Sequence, residues 1–303
     1  KIIKLMNLKG ILQDKSESLK LWYFVMLVFM FSFIGIVFSS VISPTEADIF
    51  LEENKNKLKV SQFITSVFIF IIPCILFSYF SSRDSFNIFG FKSKLKRQNI
   101  LLILFMIIFI QPFVVFCFQL NTSFLNSVSE YIPVIYNQME LMEDKAAELT
   151  NYFLSMNTVG ELFFNLFLIA LIPAIGEELF FRGVIQKKLG NILKSSHVSV
   201  IITSIIFSAI HMQFFGFLPR FVLGLMLGYL FFFSRNLWTS ILAHFINNAM
   251  GVLLMYSAFS ENLNTDITNL ENTEISFAQA FFSISVVLLF YYLYIKINTQ
   301  KSD

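Results

Sequence analysis

Eight apolar runs punctuate the chain, over about residues 21–42, 60–81, 99–120, 161–186, 197–214, 218–234, 237–258 and 276–295. A helix rises about 1.5 Å per residue, so roughly twenty apolar residues cross a hydrocarbon core about 30 Å thick. Each run is long enough to cross or nearly cross, the fifth and sixth being the shortest. The stretch 121–160 follows another rhythm. Met139, Met142, Ala146, Leu149 and Phe153 recur every three or four residues, with Glu140, Glu143, Asp144 and Glu148 between them. That spacing predicts an amphipathic helix packed on the outer face of a bundle. The expected fold is all-α: a polytopic membrane protein of about eight transmembrane helices. Residues 1–159 hold three spans and the outer amphipathic segment, 160–258 hold four spans, and 259–303 an outer loop and the last span. No internal repeat, low-complexity tract or second soluble domain interrupts the pattern.

Composition agrees with lipid as the solvent. Hydrophobic residues make up 56% and charged residues 14% of the 303 positions, more apolar surface than a soluble domain of this length can hide. The first run, Leu21 to Ile42, exceeds the apolar core of a cleavable signal and lacks a small-x-small exit, so it is expected to be a retained anchor. Cys74 and Cys117 lie in apolar runs and read as small core residues. The forty Phe residues reflect compositional bias and carry no functional weight by themselves. A net charge of +2 gives no footprint for nucleic acid, so none is expected as a partner.

The distribution of charge is more informative than its sum. With the N-terminus inside, every Lys and Arg falls on the inner side, or towards the inner end of the fourth span for Arg182, except Lys55, Lys57, Lys59, Lys145 and Arg220. The positive-inside rule therefore predicts cytoplasmic termini. The outer segments carry acids instead: Glu46 to Glu53, Glu130 to Glu161 and Glu261 to Glu274.

Ionisable groups inside a bilayer are costly enough to be candidates for function. Here they are few: Glu177, Glu178 and Arg182 in one span, His211 in the next, and His244, followed by Asn248, in the seventh. Counting from Lys187, His197 and Arg235 as inner-surface marks, Glu177, Glu178 and His244 lie roughly 14–15 Å deep. Asn248 and His211 lie roughly 20–21 Å deep on the same count. Polar groups from three spans thus converge near the bilayer midplane, whereas His197, beside Lys194, reads as an interfacial residue. Glu178 and Arg182 are i,i+4 partners, the better orientation for an ion pair. Glu177 points about 100° away, which leaves it available for proton transfer. His244 and Asn248 share the same i,i+4 relation and can present two hydrogen-bonding groups to one cavity. Pro173 cannot donate to the Ile169 carbonyl and is expected to kink its span. Gly224 and Gly228 form a G-x-x-x-G that predicts close helix packing.

The three motifs Glu177-Glu178-x-x-x-Arg182, Phe207-x-x-x-His211 and His244-x-x-x-Asn248 resemble the CPBP family in order and spacing. This family of CAAX proteases and bacteriocin-processing enzymes, also called Abi, includes the type II CAAX prenyl endopeptidases. Gly183 after the arginine and Asn236-Leu-Trp238 ahead of His244 fit the same pattern, and the resemblance covers about residues 160–258. It implies that Glu177 and His211 activate a water and that His244 and Asn248 stabilise the tetrahedral oxyanion. Glu178 and Arg182 would orient the site, and Phe207 would pack against His211.

The expected activity is hydrolysis of a peptide or membrane-protein substrate in the bilayer, in the plasma membrane of a bacterium. Ligand geometry favours a site without a cofactor, because there is no H-E-x-x-H pair and each imidazole comes from a separate span. A zinc version of the same site would use Glu177, His211 and His244. The rival from another class is a non-enzymatic membrane protein, such as an immunity factor or scaffold.

Overall fold

The computed structural model describes residues 8–45, 48–84, 89–91, 94–260 and 274–299. Among the described residues the chain contains helices and their connections and no strand. The helices are α1 (Glu17–Ile42), α2 (Glu52–Ser81), α3 (Arg97–Val128), α4 (Pro133–Leu154), α5 (Val159–Leu193), α6 (Ser196–Ala209), α7 (Phe217–Ser234), α8 (Leu237–Ser260) and α9 (Phe277–Thr299). Seven of them, all but α4 and α6, are long and apolar enough to cross a bilayer. The protein is an all-helical integral membrane protein, as the pattern of apolar runs predicts. The acidic stretch 261–273 and the cationic residues Lys1, Lys4, Lys92 and Lys301 lie outside the described residues.

Two of the boundaries that differ from the sequence expectation bear on the site. Helix α3 continues to Val128, so residues 121–128 prolong the helix of the third span. The fifth run, expected over 197–214, stops being helical at Ala209. At 14 residues, α6 is only about 21 Å long, short of a full crossing. His211 therefore stands in a turn beyond the helix. Met212 there has φ 55°, a left-handed conformation that cannot continue a right-handed helix. The expected amphipathic helix is present as α4, and its last turn buries Phe153 and Leu154.

The chain forms two compact units, each discontinuous in sequence. The first comprises residues 1–94, 175–199 and 235–238. Its interior is aromatic. Phe24 meets Phe77 and Phe180 at centroid distances of 5.2 and 5.1 Å, and Phe70 meets Phe180 at 5.3 Å. At its polar end Glu17, the first residue of α1, pairs with Lys188 and Lys20, each at 2.8 Å, and accepts from Asn191 at 3.1 Å.

The second unit comprises residues 95–174, 200–234 and 239–303. Ile103, Met106, Ile107 and Ile110 of α3 pack with Met226, Leu227 and Leu230 of α7 and with Val287 and Tyr294 of α9. Pro112 lies within α3 and lacks the N–H that would hold the turn closed. Beside it, Ser283 of α9 inserts its hydroxyl between the Phe109 carbonyl and the Phe113 N–H. A neighbouring side chain thus satisfies backbone groups that lipid cannot.

Candidate active site

Helix α5 opens with a capping box. The Thr158 hydroxyl accepts from the Glu161 N–H, and the Glu161 carboxylate accepts from the Thr158 N–H, which satisfies two donors that the first turn would orphan. Further along, the helix widens into two π-helical stretches, Leu166–Leu171 and Leu179–Gln186. The first ends just before Pro173, so the bond missing at proline is absorbed by local unwinding. The second contains Arg182 and Gly183.

Glu178 and Arg182 are fully buried. Arg182 Nη1 donates to Glu178 Oε1 at 2.6 Å, the ion pair that the i,i+4 spacing predicts. Glu177 is only half-buried, so the adjacent carboxylates occupy different surroundings, as a 100° rotation requires. Both glycines flanking this turn sit against aromatic side chains. A Cβ at Gly183 would come within 2.9 Å of the Phe89 ring, and one at Gly176 within 3.1 Å of Phe70. Glu177, Glu178 and Arg182 all belong to the first unit.

His211, His244, Asn248 and Phe207 belong to the second. The Phe207 ring contacts both imidazoles, with centroids 5.1 Å from His211 and 5.9 Å from His244. Phe207 and His244 are both buried. His211 Nδ1 lies 2.7 Å from the Phe207 carbonyl oxygen. A carbonyl can only accept, so this nitrogen carries the proton, and in the neutral ring Nε2 is the basic one. One turn after His244 on α8, Asn248 accepts from Asn247 Nδ2 through its Oδ1 at 3.4 Å. Gln111 of α3 in turn donates to Asn247 Oδ1 at 3.3 Å. Among the described residues of either unit, no three histidine, cysteine or carboxylate side chains gather as a metal ligand set.

The motif glycine Gly224 explains how Phe207 is held. A Cβ there would lie 3.1 Å from Ser204 Cβ and 3.3 Å from Phe207 Cδ1. Glycine thus lets α7 close on α6, the packing role expected of G-x-x-x-G. Gly224→Leu is expected to destabilise the fold by about 1–3 kcal/mol through overpacking. It should also displace Phe207 from between the histidines, which thermal unfolding and cleavage rates of the same variant would register together.

Sequence reasoning missed the residues that fix the His211 turn. Asn121 of α3 donates from Nδ2 to the Phe214 and Phe215 carbonyls at 2.8 and 3.0 Å and accepts from the Leu218 N–H at 3.3 Å. Gln213, two residues past His211, receives Arg220 Nη2 on its Oε1 at 2.6 Å and Nη1 on its carbonyl at 3.1 Å. The sequence signal was one of several amides in a long uncharged run. Asn121→Ala strands the two carbonyls, so an unfolding free energy lower by about 1–3 kcal/mol is expected. Wild-type stability in that variant would mean that the turn holds itself.

Comparison with known families then decides what these residues belong to. Residues 159–250 match the family model described as type II CAAX prenyl endopeptidase Rce1-like. This segment is an Rce1-like domain. It contains all three motifs, from Glu177 to Asn248, and draws on both compact units. The match is consistent with a CPBP family protease and supports a membrane protease of the CAAX-endopeptidase type. No curated protein and no solved structure matches the chain. The Asn236-Leu-Trp238 segment of the Rce1-like domain has a structural explanation, because Asn236 Oδ1 accepts from the Trp238 N–H at 3.2 Å and caps α8, the helix that carries His244.

Proposed function

We propose that the chain is an intramembrane endopeptidase in which Glu177 and His211 activate the attacking water. One of these bases takes the water proton as the oxygen adds to the peptide carbonyl carbon. His244 and Asn248 donate hydrogen bonds to the oxyanion that forms, each such donor being worth a few kcal/mol at the transition state. Collapse of the intermediate breaks the C–N bond, the amine leaves with the proton, and a carboxylate and an amine are released. Glu178 and Arg182 orient the carboxylate end of the site. The observation that carries this reading is one phenyl ring shared by His211 and His244 within a segment that matches Rce1-like endopeptidases. The lone pair on His211 Nε2, fixed by the bond from Nδ1 to a carbonyl, is what a base requires.

The substrate class under this reading is a membrane-borne peptide or membrane protein, with a prenylated CAAX terminus as one member. The orientation favoured by the cationic segments has both termini cytoplasmic, in a bacterial plasma membrane. No step is routed through a metal. A zinc version would enlist Glu177, His211 and His244, and it requires stoichiometric zinc in the purified active protein and loss of activity to chelators.

Comparison of membrane proteomes from cells carrying the wild type or Glu177→Ala tests the proposal. Substrate fragments should vanish in the variant while its abundance in the membrane is unchanged. Undiminished cleavage by Glu177→Ala overturns the reading. A scaffold or immunity role predicts instead that Glu177→Ala and His211→Ala complement a deletion as well as wild type does.

A further inference from the structure

A cavity of about 790 Å³ opens within the second unit, between α3, α4 and the segment after His211. That volume falls in the usual range for small-ligand sites, about 300–1,000 Å³. Val114, Val115 and Phe118 of α3 give it an apolar side. Helix α4 contributes Glu140, Glu143 and Asp144 to the lining, which also includes Gln213 and Arg220.

Three carboxylates thus face one guanidinium, and that guanidinium is committed to Gln213 through two hydrogen bonds. Gln213 passes its own Nε2 to Glu143 Oε1 at 3.3 Å. The second carboxylate oxygen of Glu143 is buried without a hydrogen-bond partner. Burial raises the Glu143 carboxyl above its ordinary value, against the pull of Arg220 and of N–H groups from Phe215 and Gln213. Glu140 and Asp144 enter no ion pair among the described residues. A cavity with an apolar side and an excess of negative charge suits a guest with an aliphatic stem and a cationic head.

We infer that this cavity binds a lysine or arginine side chain of the peptide substrate. The role as a substrate site rests on the proteolytic reading, whereas the binding itself does not. Gln213 follows His211 by two residues, so their Cα atoms are within about 7 Å. A basic side chain held here would anchor the peptide near the water that His211 is proposed to activate.

The test uses the full chain in lipid nanodiscs with Glu177→Ala, which separates binding from cleavage. The probe is a short fluorescein-labelled apolar peptide containing one lysine, compared by anisotropy with the same peptide carrying norleucine. The lysine peptide should bind about tenfold more tightly, and high salt should shrink the difference. Glu143→Gln combined with Asp144→Asn should abolish it, and Glu140→Gln gives a second, independent variant of nearly unchanged shape. Equal binding of the two peptides by the parent protein overturns the inference, as does a preference that survives these substitutions in folded protein. Should Glu177→Ala retain cleavage while the lysine preference holds, the assignment of Glu177 as a water-activating base fails and the cation site stands.

Discussion

Arg182→Met should lower the unfolding free energy by about 3–5 kcal/mol, the usual cost of stripping one partner from a buried ion pair. Arg182 and Glu178 are both fully buried, with 2.6 Å between Nη1 and Oε1. Desolvating two charges is expensive, and their mutual attraction offsets it only while both are present. The single substitution leaves the Glu178 carboxylate buried without its guanidinium. The double variant Glu178→Leu/Arg182→Met removes both charges and should be more stable than either single one. Thermal unfolding of all four proteins in one detergent gives the coupling directly. If the double variant loses as much as the two single losses summed, the pair does not act as a unit, and its assignment to orienting the carboxylate end of the site falls.

The membrane architecture was legible because apolar runs in lipid are long and nearly free of charge. Helix ends were less legible, and the reasons are local. Asn121, Thr122 and Ser123 read as the exit from the third span, yet α3 carries them onward to Val128. Ile210 to Phe214 read as continued span because the run is largely apolar, but the left-handed Met212 and the three bonds made with Asn121 turn the segment into a loop. Long-range bonds of that kind leave no periodicity behind. The ion pair Glu178–Arg182 was readable from spacing alone, since i,i+4 neighbours meet on any regular helix, and it survives the π-helical widening around it. The phenylalanines were discounted in the sequence, yet they supply the packing medium of the first unit and, as Phe207, the ring shared by two histidines. Arg220 figured only as an outer cation, and its bonds to Gln213 depend on a turn that the sequence did not announce.

His211→Ala should reduce the cleavage rate by about 10²–10⁴, the range that a positioned base contributes, with the fold retained. Its ring is fixed by Phe207 of α6, through the carbonyl at 2.7 Å and the phenyl ring, so truncation should remove the proposed base without stranding a buried charge. The informative quantity is the combination with Glu177→Ala. Groups that act on one water are grossly non-additive, so the double variant should be about as slow as the slower single one. Independent roles would instead multiply the two losses, because well-separated sites contribute additively in free energy. Single-turnover rates for the wild type, both single variants and the double variant, measured on one membrane substrate, separate these outcomes. Multiplied losses would mean that carboxylate and imidazole serve different steps, and the shared-water mechanism would have to be abandoned even if both residues proved essential. A collapsed double-variant loss would tie Glu177 to His211 through the reaction itself.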